Sequence, residues 1–410
     1  MKAFLTLALS ALSLAIVSCK DPQEPDKNDG KTGNLPPVET LPPNTDYPPA
    51  FPQQTRVAGI KTKTPLSINV LAEGLSKPWG MVSLPDGRLL ITEKTGTLRI
   101  ATIEGQLSPA ITGLPPVNSS GQGGLLDIVP DPDFETNRTI YWVFSENQPG
   151  GTLTAVAKGQ LNPDESQVLN ISIIFRAIPA YNGSLHYGGR ILFDANGYLL
   201  VSTGERSDLE TRPQAQWLHS GLGKVLRITK TGDPAPGNPF SDSTEEITKS
   251  IYSYGHRNIQ GLAIHPETGV LWEGEFGPRG GDELNKIEAG NNYGWPIISY
   301  GLEYSGEPIG DGITQQEGME QPVYYWDPVI SPSGMVFYNS QVISEWKNDL
   351  FLACLSGQHI ARLVISDDRV IAEERLLADK GERFRDLAVG HDGALYAITD
   401  DGSLYRIGKQ

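Results

Sequence analysis

The feature that most constrains the fold is a recurring unit of an apolar strand, a polar turn rich in Asp, Gly and Pro, and a second apolar strand. In its clearest copy, Trp79 to Leu84 precede the turn Pro85-Asp86-Gly87-Arg88, and Leu89 to Thr92 follow it. Asp-Gly and Asn-Gly pairs between apolar runs are strong hairpin signals, because these residues tolerate positive φ. The unit occurs six times, with first strands near Trp79, Gly124, Arg190, Gly261, Gly334 and Asp386.

Copies spaced at about 45 to 75 residues are typical of propeller blades with loops of variable length. Several copies are followed by a third apolar strand, such as Gly402 to Ile407. We therefore predict an all-β fold, a six-bladed β-propeller over residues 61–410, in preference to unrelated hairpins in a sandwich. Cys354 is the only cysteine in this range, so the domain has no internal disulfide.

The first 18 residues have the pattern of a signal peptide. Lys2 precedes an apolar run from Phe4 to Val17 that is too short to span a membrane comfortably. The run ends in Ile16-Val17-Ser18-Cys19, which resembles a bacterial lipobox and would make Cys19 the acylated first residue of the mature protein. Several acyl chains on one residue would anchor it durably. An ordinary cleaved signal peptide that contains a cysteine is the alternative.

Residues 19–60 are predicted to be a lipidated cysteine followed by a linker. Lys20 to about Thr55 is rich in proline and short polar residues and has almost no apolar periodicity, which is typical of a semi-extended spacer. We expect an exported protein that is lipid-anchored. Since Lys20 follows the cysteine, the outer membrane, facing the periplasm or the cell surface, is the expected location in a Gram-negative cell.

The net charge of −16 argues against nucleic acid as a partner and against a membrane contact other than the anchor. It is compatible with cation binding.

The loops before the first strands of the blades carry the candidate site, since in a propeller these loops converge at one mouth of the channel. His186, in His-Tyr-Gly-Gly-Arg, has neighbouring glycines that leave room for a ligand, and a neutral imidazole suits a general base near pH 7. A structural histidine is the alternative. Arg257 and Asn258, in Gly-His-Arg-Asn, offer planar donors and an acceptor, or else form a turn that caps a blade.

Two further segments suggest ligands. Glu275 to Asn285 combines Gly/Pro turns, which expose main-chain carbonyls, with carboxylates, and such an oxygen-only shell suits Ca²⁺. Arg383 and Arg385 are two residues apart, so on an extended segment both face one side and suit a polyanionic ligand. A solvated basic pair is the alternative there.

Together these segments resemble the soluble quinoprotein glucose/sorbosone dehydrogenases, and especially their aldose sugar dehydrogenase branch. The resemblance runs from about Leu71 to Ile407 and keeps the family's order of motifs. The motifs are Pro78-Trp79-Gly80-Met81, Gly121-Gln122-Gly123-Gly124-Leu125-Leu126, the His186 segment, Gly255-His256-Arg257-Asn258, Gly277-Pro278 with Asp282-Glu283-Leu284-Asn285, Asn292-Tyr293-Gly294-Trp295-Pro296, Pro332-Ser333-Gly334-Met335 and the Arg383/Arg385 pair.

The resemblance implies a propeller that binds pyrroloquinoline quinone (PQQ) and calcium and oxidises the C1 hydroxyl of aldoses to lactones. His186 would be the base. Gln122, Arg257 and Asn258 would contact cofactor and substrate, and Tyr304, Arg383 and Arg385 would contact PQQ. The carbonyls of Gly277 and Pro278 would bind the active-site Ca²⁺, and Glu283 and Tyr293 a second, structural calcium.

Two departures from the family pattern qualify the resemblance. Ser356 stands where the family usually has a lysine that contacts the cofactor, and Leu185 stands where the glucose-oxidising branch has an acidic residue. The second departure fits the aldose branch. The first leaves two alternatives open, a calcium-dependent lactone hydrolase and a non-catalytic binding propeller. The electron acceptor is not identified by the sequence, and a homodimer is an open alternative to a monomer.

Overall fold

The structure is a computed structural model that describes Met1 and residues 31–410, so the predicted signal peptide and Cys19 lie outside the described residues. Regular structure in the described part is almost entirely β. The helices are short: α1 (Phe134–Asn137), α2 (Glu246–Lys249) and 3₁₀ turns at Arg212–Gln216, Ser344–Trp346 and Ala378–Lys380. Among the described residues, no helix has the length and apolar character needed to cross a membrane.

The strands form six antiparallel sheets, and each is a run of consecutive strands except the sixth, which also takes in the first strand of the domain. The first sheet contains β2 (Pro78–Ser83), β3 (Leu89–Glu93) and β4 (Thr97–Ala101). The second contains β5 (Leu125–Pro130), β6 (Thr139–Gln148), β7 (Gly151–Leu161) and β8 (Val168–Tyr181). The third contains β9 (Ile191–Phe193), β10 (Leu199–Ser202), β11 (Lys224–Ile228) and β12 (Ile251–Tyr254).

The remaining sheets follow the same pattern. The fourth contains β13 (Ile259–Ile264), β14 (Leu271–Glu275), β15 (Asp282–Ile287) and β16 (Tyr324–Trp326). The fifth contains β17 (Pro332–Phe337), β18 (Leu350–Cys354), β19 (His359–Ser366) and β20 (Arg369–Leu376). The sixth contains β21 (Phe384–Val389), β22 (Leu395–Thr399) and β23 (Leu404–Lys409), and β1 (Leu66–Ala72) is its outer strand.

The ring is closed by the two ends of the domain. β1 pairs antiparallel with β23, from Leu66 opposite Lys409 to Ala72 opposite Leu404. Because β1 precedes the first blade in the chain, this pairing joins the last blade to the start of the domain and closes the ring. The prediction of an all-β, six-bladed β-propeller is confirmed.

The apolar core lies between neighbouring blades. One cluster, for example, combines Trp79 of the first blade, Leu126 of the second and Ile191 of the third. The inner strand of each blade is the first of its blade in the chain: β2, β5, β9, β13, β17 or β21. These strands run from one mouth of the channel to the other, since Trp79 of β2 lines a large cavity at one mouth and Val82 of β2 lines a smaller recess at the other. The loops that precede the inner strands therefore meet around the large cavity.

Residues 31–60 differ from the predicted free linker. The segment runs along the outside of the fourth and fifth blades, where Lys31 pairs with Asp349 at 2.8 Å and Gly59 bridges to Glu373 of β20. Gln54 is fully buried and Val57 is 4% exposed. The segment needs no core of its own, because its polar groups bond to carboxylates and carbonyls that the blades present. Composition alone could not show those partners.

Candidate active site

A cavity of about 610 Å³ opens at the mouth where the inner strands begin. Eight of the predicted site residues line it: Gln122, His186, Arg257, Gly277, Pro278, Tyr304, Arg383 and Arg385. They come from four blades, the second, third, fourth and sixth, and are brought together only by closure of the ring.

His186 lies in the loop before β9, and its ring is paired with a carboxylate. Nδ1 is 2.6 Å from Oε1 of Glu205, and both side chains are buried. In a neutral imidazole, Nδ1 must donate its proton to the carboxylate, so Nε2 carries the lone pair. The loop packs closely against the residue that follows β10: a Cβ at Gly188, where φ is 65°, would lie 2.5 Å from the Thr203 backbone. His186 therefore presents a basic nitrogen in a fixed orientation to the cavity.

Burial and, to a smaller extent, the positive charge of Arg257 lower the pKa of His186 to about 4, although the hydrogen bond to Glu205 acts to raise it. The imidazole is thus neutral, and able to accept a proton, throughout the physiological pH range.

Gln122 and Asn258 support this loop in different ways. The Gln122 side-chain oxygen accepts a hydrogen bond from the His186 main-chain N–H at 2.8 Å, and Gln122 also faces the cavity. Asn258 is fully buried and does not line the cavity; its Oδ1 accepts the Gly188 N–H at 3.0 Å. The structure thus places Asn258 beneath the loop that carries His186 rather than at the cavity surface.

Arg257 lies against the loop that contains Gly277 and Pro278. Its Nη1 donates to the carbonyls of Phe276 and Gly277 at 2.9 and 2.7 Å, and its buried Nε has no hydrogen-bond partner among the described residues. Asp282 holds the same loop: one carboxylate oxygen accepts the Gly277 N–H, and the other accepts the N–H groups of Ile330 and Ser331. Burial raises the pKa of Asp282 to about 7.

One wall of the cavity is basic. Arg383 and Arg385 do face the same side, and both bind the carboxylate of Asp400, with Nε–O distances of 2.9 and 2.7 Å. Burial acts to raise the pKa of Asp400, but the two arginines lower it overall. Lys94, half-buried beside them, makes no ion pair among the described residues, and its pKa is lowered by burial and by the charges of Lys77 and Arg385. This wall suits an anionic ligand.

Tyr304 and Ser356 lie at the rim. Tyr304 is 73% exposed, so its ring is free to contact a ligand. The exposed Ser356 hydroxyl is 2.7 Å from that of Ser331, which lines the cavity. The position therefore faces the site without carrying a charge.

Glu283 and Tyr293 lie together outside the main cavity, at a space of about 10 Å³ that Glu275 also lines. The Tyr293 hydroxyl is occupied, since it donates to the Lys286 carbonyl at 2.7 Å and accepts the Glu288 N–H. Tyr293 could therefore offer a cation only its main-chain oxygen.

An acidic cluster adjoins this space. One ligand atom from each of His256, Glu273 and Glu275 lies within 4.8 Å of the others, and all three side chains are buried. Burial, and repulsion by Glu275, raise the pKa of Glu273 to about 7 and hold that of Glu283 well above its usual range. Three buried atoms, His256 Nδ1, Glu273 Oε2 and Asn285 Oδ1, have no hydrogen-bond partner among the described residues, although His256 Nδ1 is 3.5 Å from Glu273 Oε1. A cation would relieve both features.

The sequence singled out no role for Glu205, Glu273 or Lys94. The position of Glu205 in the sequence could have indicated a role. Glu205 lies three residues after β10, the second strand of its blade, and the second strand of a blade ends at the mouth of the channel where the first strand begins. Glu93, Glu275 and Asp400 occupy the same place in other blades. An acidic residue at the end of several second strands was therefore a pattern in the sequence.

Sequence similarity identifies the family to which the chain belongs. The family model for glucose/sorbosone dehydrogenases matches residues 75–406. Aldose sugar dehydrogenase YliI of Escherichia coli is 40% identical over 341 residues, which cover 82% of this chain and 91% of that protein.

Solved structures are similar as well. A glucose dehydrogenase crystal structure is 43% identical with a TM-score of 0.81, covering 84% of this chain and all of that one. The PQQ-bound form of an aldose sugar dehydrogenase from Streptomyces coelicolor is 30% identical with a TM-score of 0.69, covering 85% and 99%. The chain belongs to the glucose/sorbosone dehydrogenase family of oxidoreductases.

Proposed function

We propose that this chain oxidises the C1 hydroxyl of aldose sugars to the lactone, in a reaction that depends on PQQ and calcium. The observation that carries the proposal is the buried His186–Glu205 pair, whose basic nitrogen faces a cavity with a basic wall. The PQQ-bound relative supports the choice of cofactor.

The residues present fit PQQ, a flat tricarboxylate. The cavity is lined by five basic side chains, Lys77, Lys94, Arg257, Arg383 and Arg385, against three carboxylates, Asp282, Asp400 and Asp401. This positive excess, together with the unpaired buried Nε of Arg257, suits a ligand with several carboxylates and carbonyls. The carbonyls of Gly277 and Pro278, on a loop held by Asp282, are the oxygen donors that Ca²⁺ prefers.

When bound, PQQ supplies the acceptor for the hydride that leaves C1, and Ca²⁺ supplies a Lewis acid beside it. The residues of the chain handle the proton. Nε2 of His186 takes the proton of the C1 hydroxyl, and Glu205 stabilises the imidazolium that forms. Gln122 holds the His186 backbone, so the base stays in place during the reaction.

The second part of the proposal is a structural calcium at Glu283 and the Tyr293 carbonyl. Its support is the cluster of partly or fully buried carboxylates with raised pKa values and the three unpartnered polar atoms beside it. Bound calcium would neutralise charges that otherwise repel one another.

The test is reconstitution of purified protein with PQQ and Ca²⁺, with an aldose as donor and a redox dye as acceptor. We expect dye reduction that requires both additions. Lactone hydrolysis without PQQ would favour the hydrolase alternative, and PQQ-independent sugar binding without turnover would favour a binding propeller.

Ser356→Lys is expected to tighten PQQ binding about tenfold, because a hydrogen bond to a charged group contributes about 1.5–3 kcal/mol and 1.4 kcal/mol is tenfold. The position faces the cavity rim and carries no charge. The measurement is the dissociation constant of PQQ from absorbance titration, with Ser356→Met as a control of similar length. Equal affinity in wild type and Ser356→Lys would show that other basic residues, such as Lys94, already serve the cofactor.

Membrane anchoring through Cys19 is also proposed, on the support of Ile16 to Cys19 in the sequence. Cys19→Ala is expected to move the protein from the membrane fraction to the soluble fraction of the cell. Cys354→Ala, which changes a buried thiol, is the control and should stay with the membranes. A Cys19→Ala variant that fractionates like the parent would show that the attachment has another source.

A further inference from the structure

Residues 31–60, here called the N-terminal strap, lie outside the part of the chain that the family model matches. The strap starts near Asp349, at the face opposite the large cavity, and crosses to the cavity face, where Asn44 and Thr45 meet Asp327. It then returns along β20, where the Ile60 N–H donates to the Glu373 carbonyl. The strap thus covers the outer edges of the fourth and fifth blades and extends from one face of the propeller to the other.

The strap makes several hydrogen bonds to the carboxylate of Asp327, whose side chain is buried. Its carboxylate accepts hydrogen bonds from the main-chain N–H groups of Asn44 and Thr45, at 2.9 and 3.0 Å. It also accepts Asn44 Nδ2 at 2.6 Å and Thr45 Oγ1 at 3.2 Å. All the hydrogen bonds to this carboxylate among the described residues come from the strap. Without them, a buried charge would lose its partners.

Asp327 lies directly against the loop that carries Gly277 and Pro278. A Cβ at Gly280 would be 2.7 Å from Asp327 Oδ1, so the loop backbone and this carboxylate are in contact. The Gly281 N–H donates to the carbonyl of Trp326, the residue before Asp327, at 2.9 Å. Arg279, in the same loop, donates from Nε to Asn44 Oδ1 at 3.1 Å.

The strap also holds the neighbouring loop at Tyr300–Leu302. Tyr300 lies against the strap: its carbonyl is 3.4 Å from Thr45 Oγ1, and its hydroxyl, which donates to Gln321 Oε1 at 2.7 Å, is 3.2 Å from Gln54 Oε1. Leu302 exchanges two main-chain hydrogen bonds with Arg279, each of 2.9 Å. The two loops are therefore fastened to each other and to the strap on the side away from the cavity.

We infer that the N-terminal strap is a positioning element for the Gly277–Pro278 loop, acting through Asn44, Thr45 and Asp327. Its consequence for ligand binding rests on the proposed function: a loop held at its outer side keeps two carbonyls aligned for Ca²⁺, and a loosened loop binds the ion more weakly. Earlier in the strap, the Glu39–Arg375 pair at 2.8 Å attaches the strap to the fifth blade and does not contact this loop.

The test compares Asn44→Ala/Thr45→Val with Glu39→Gln by amide hydrogen exchange in the full-length protein without ligand. Each variant removes side-chain contacts of the strap and keeps its backbone. The reporters are the amides of Gly277, Arg279 and Gly281, which are hydrogen-bonded in the loop. We expect these amides to exchange about tenfold faster in the double variant, the change that corresponds to one lost hydrogen bond to a charged group. Glu39→Gln should leave them unchanged. Equal exchange in all three proteins would overturn the inference.

Calcium titration of the same proteins gives the second readout. The dissociation constant of Ca²⁺ in the presence of PQQ should rise about tenfold in the double variant and stay at the wild-type value in Glu39→Gln. If the wild type binds neither PQQ nor Ca²⁺, the proposed function fails, while the exchange rates still decide whether the strap holds the loop. If the exchange rates change and calcium affinity does not, the strap fixes the loop but has no role in ligand binding, which would overturn that part of the inference.

Discussion

His186→Gln is expected to lower the rate of sugar-dependent quinone reduction at least a hundredfold while PQQ and calcium still bind. Removal of a general base typically lowers the rate by ~10²–10⁴-fold. Glutamine keeps a polar side chain beside Glu205 but has no nitrogen that can accept a proton. The measurement is stopped-flow reduction of the bound cofactor by an aldose, with the cofactor absorbance spectrum as the check on binding.

The pH profile tests the same assignment independently. A base acts only when it is unprotonated, and burial lowers the pKa of His186 to about 4. The value of kcat/KM should therefore stay level as the pH falls from 7 to about 5 and then decline as His186 becomes protonated. Glu205→Gln removes the group that raises this pKa, so the decline should move to lower pH.

His256→Gln is the matched control for the histidine substitution, since His256 is buried away from the cavity beside Glu273. It should alter stability and leave the reduction rate within a few-fold of wild type. Near-normal turnover in His186→Gln would rule out His186 as the base and direct attention to the carboxylates that line the cavity, Asp282, Asp400 and Asp401.

The blades could be predicted from the sequence because each hairpin is specified locally. The turn Pro85-Asp86-Gly87-Arg88 and its counterparts act over a few residues, and the apolar strands on either side need only their neighbours to be recognised. The pairing of β1 with β23 could not be predicted in this way. This pairing places Leu66 opposite Lys409, at the other end of the domain, and neither strand has a sequence feature that specifies which strand it pairs with.

The site shows the same division. His186, Arg257 and Arg385 were found because they stand in motifs, whereas Glu205 was missed because its role depends on a contact with a side chain 19 residues earlier in the chain. The strap was misjudged for a related reason. Its proline-rich composition is that of a free linker, but Asn44 and Thr45 find a buried carboxylate 283 and 282 residues away. Composition indicates only whether a segment can fold alone, whereas the hydrogen-bond acceptors that order this segment, such as the Asp327 carboxylate, belong to the blades.

Removal of divalent cations is expected to abolish activity, with a loss of at least a hundredfold, and addition of Ca²⁺ with PQQ should restore it. The Gly277–Pro278 loop offers carbonyl oxygens to the cavity, and the Gly277 carbonyl, which accepts one hydrogen bond from Arg257, has a second lone pair for a cation. Mg²⁺ should restore activity poorly, since it requires a smaller, nearly octahedral shell and gives up water reluctantly. The measurement is dye reduction after chelation and gel filtration, with PQQ retention followed by absorbance.

Glu283→Gln separates the two proposed calcium sites. Without calcium this variant should be more stable than wild type, because it removes one of the carboxylates that repel each other around Glu275. Added calcium should raise the free energy of unfolding of this variant less than that of the wild type, as measured from thermal melting curves. An ion that binds the native state adds about 2.7 kcal/mol at a hundredfold excess over Kd, and this variant has lost a ligand for the ion. The activity of Glu283→Gln should still depend on added Ca²⁺.

The active-site calcium has its own test. Wild-type protein that keeps more than a tenth of its activity after chelation, with PQQ alone added back, would contradict that site whatever the stability of Glu283→Gln.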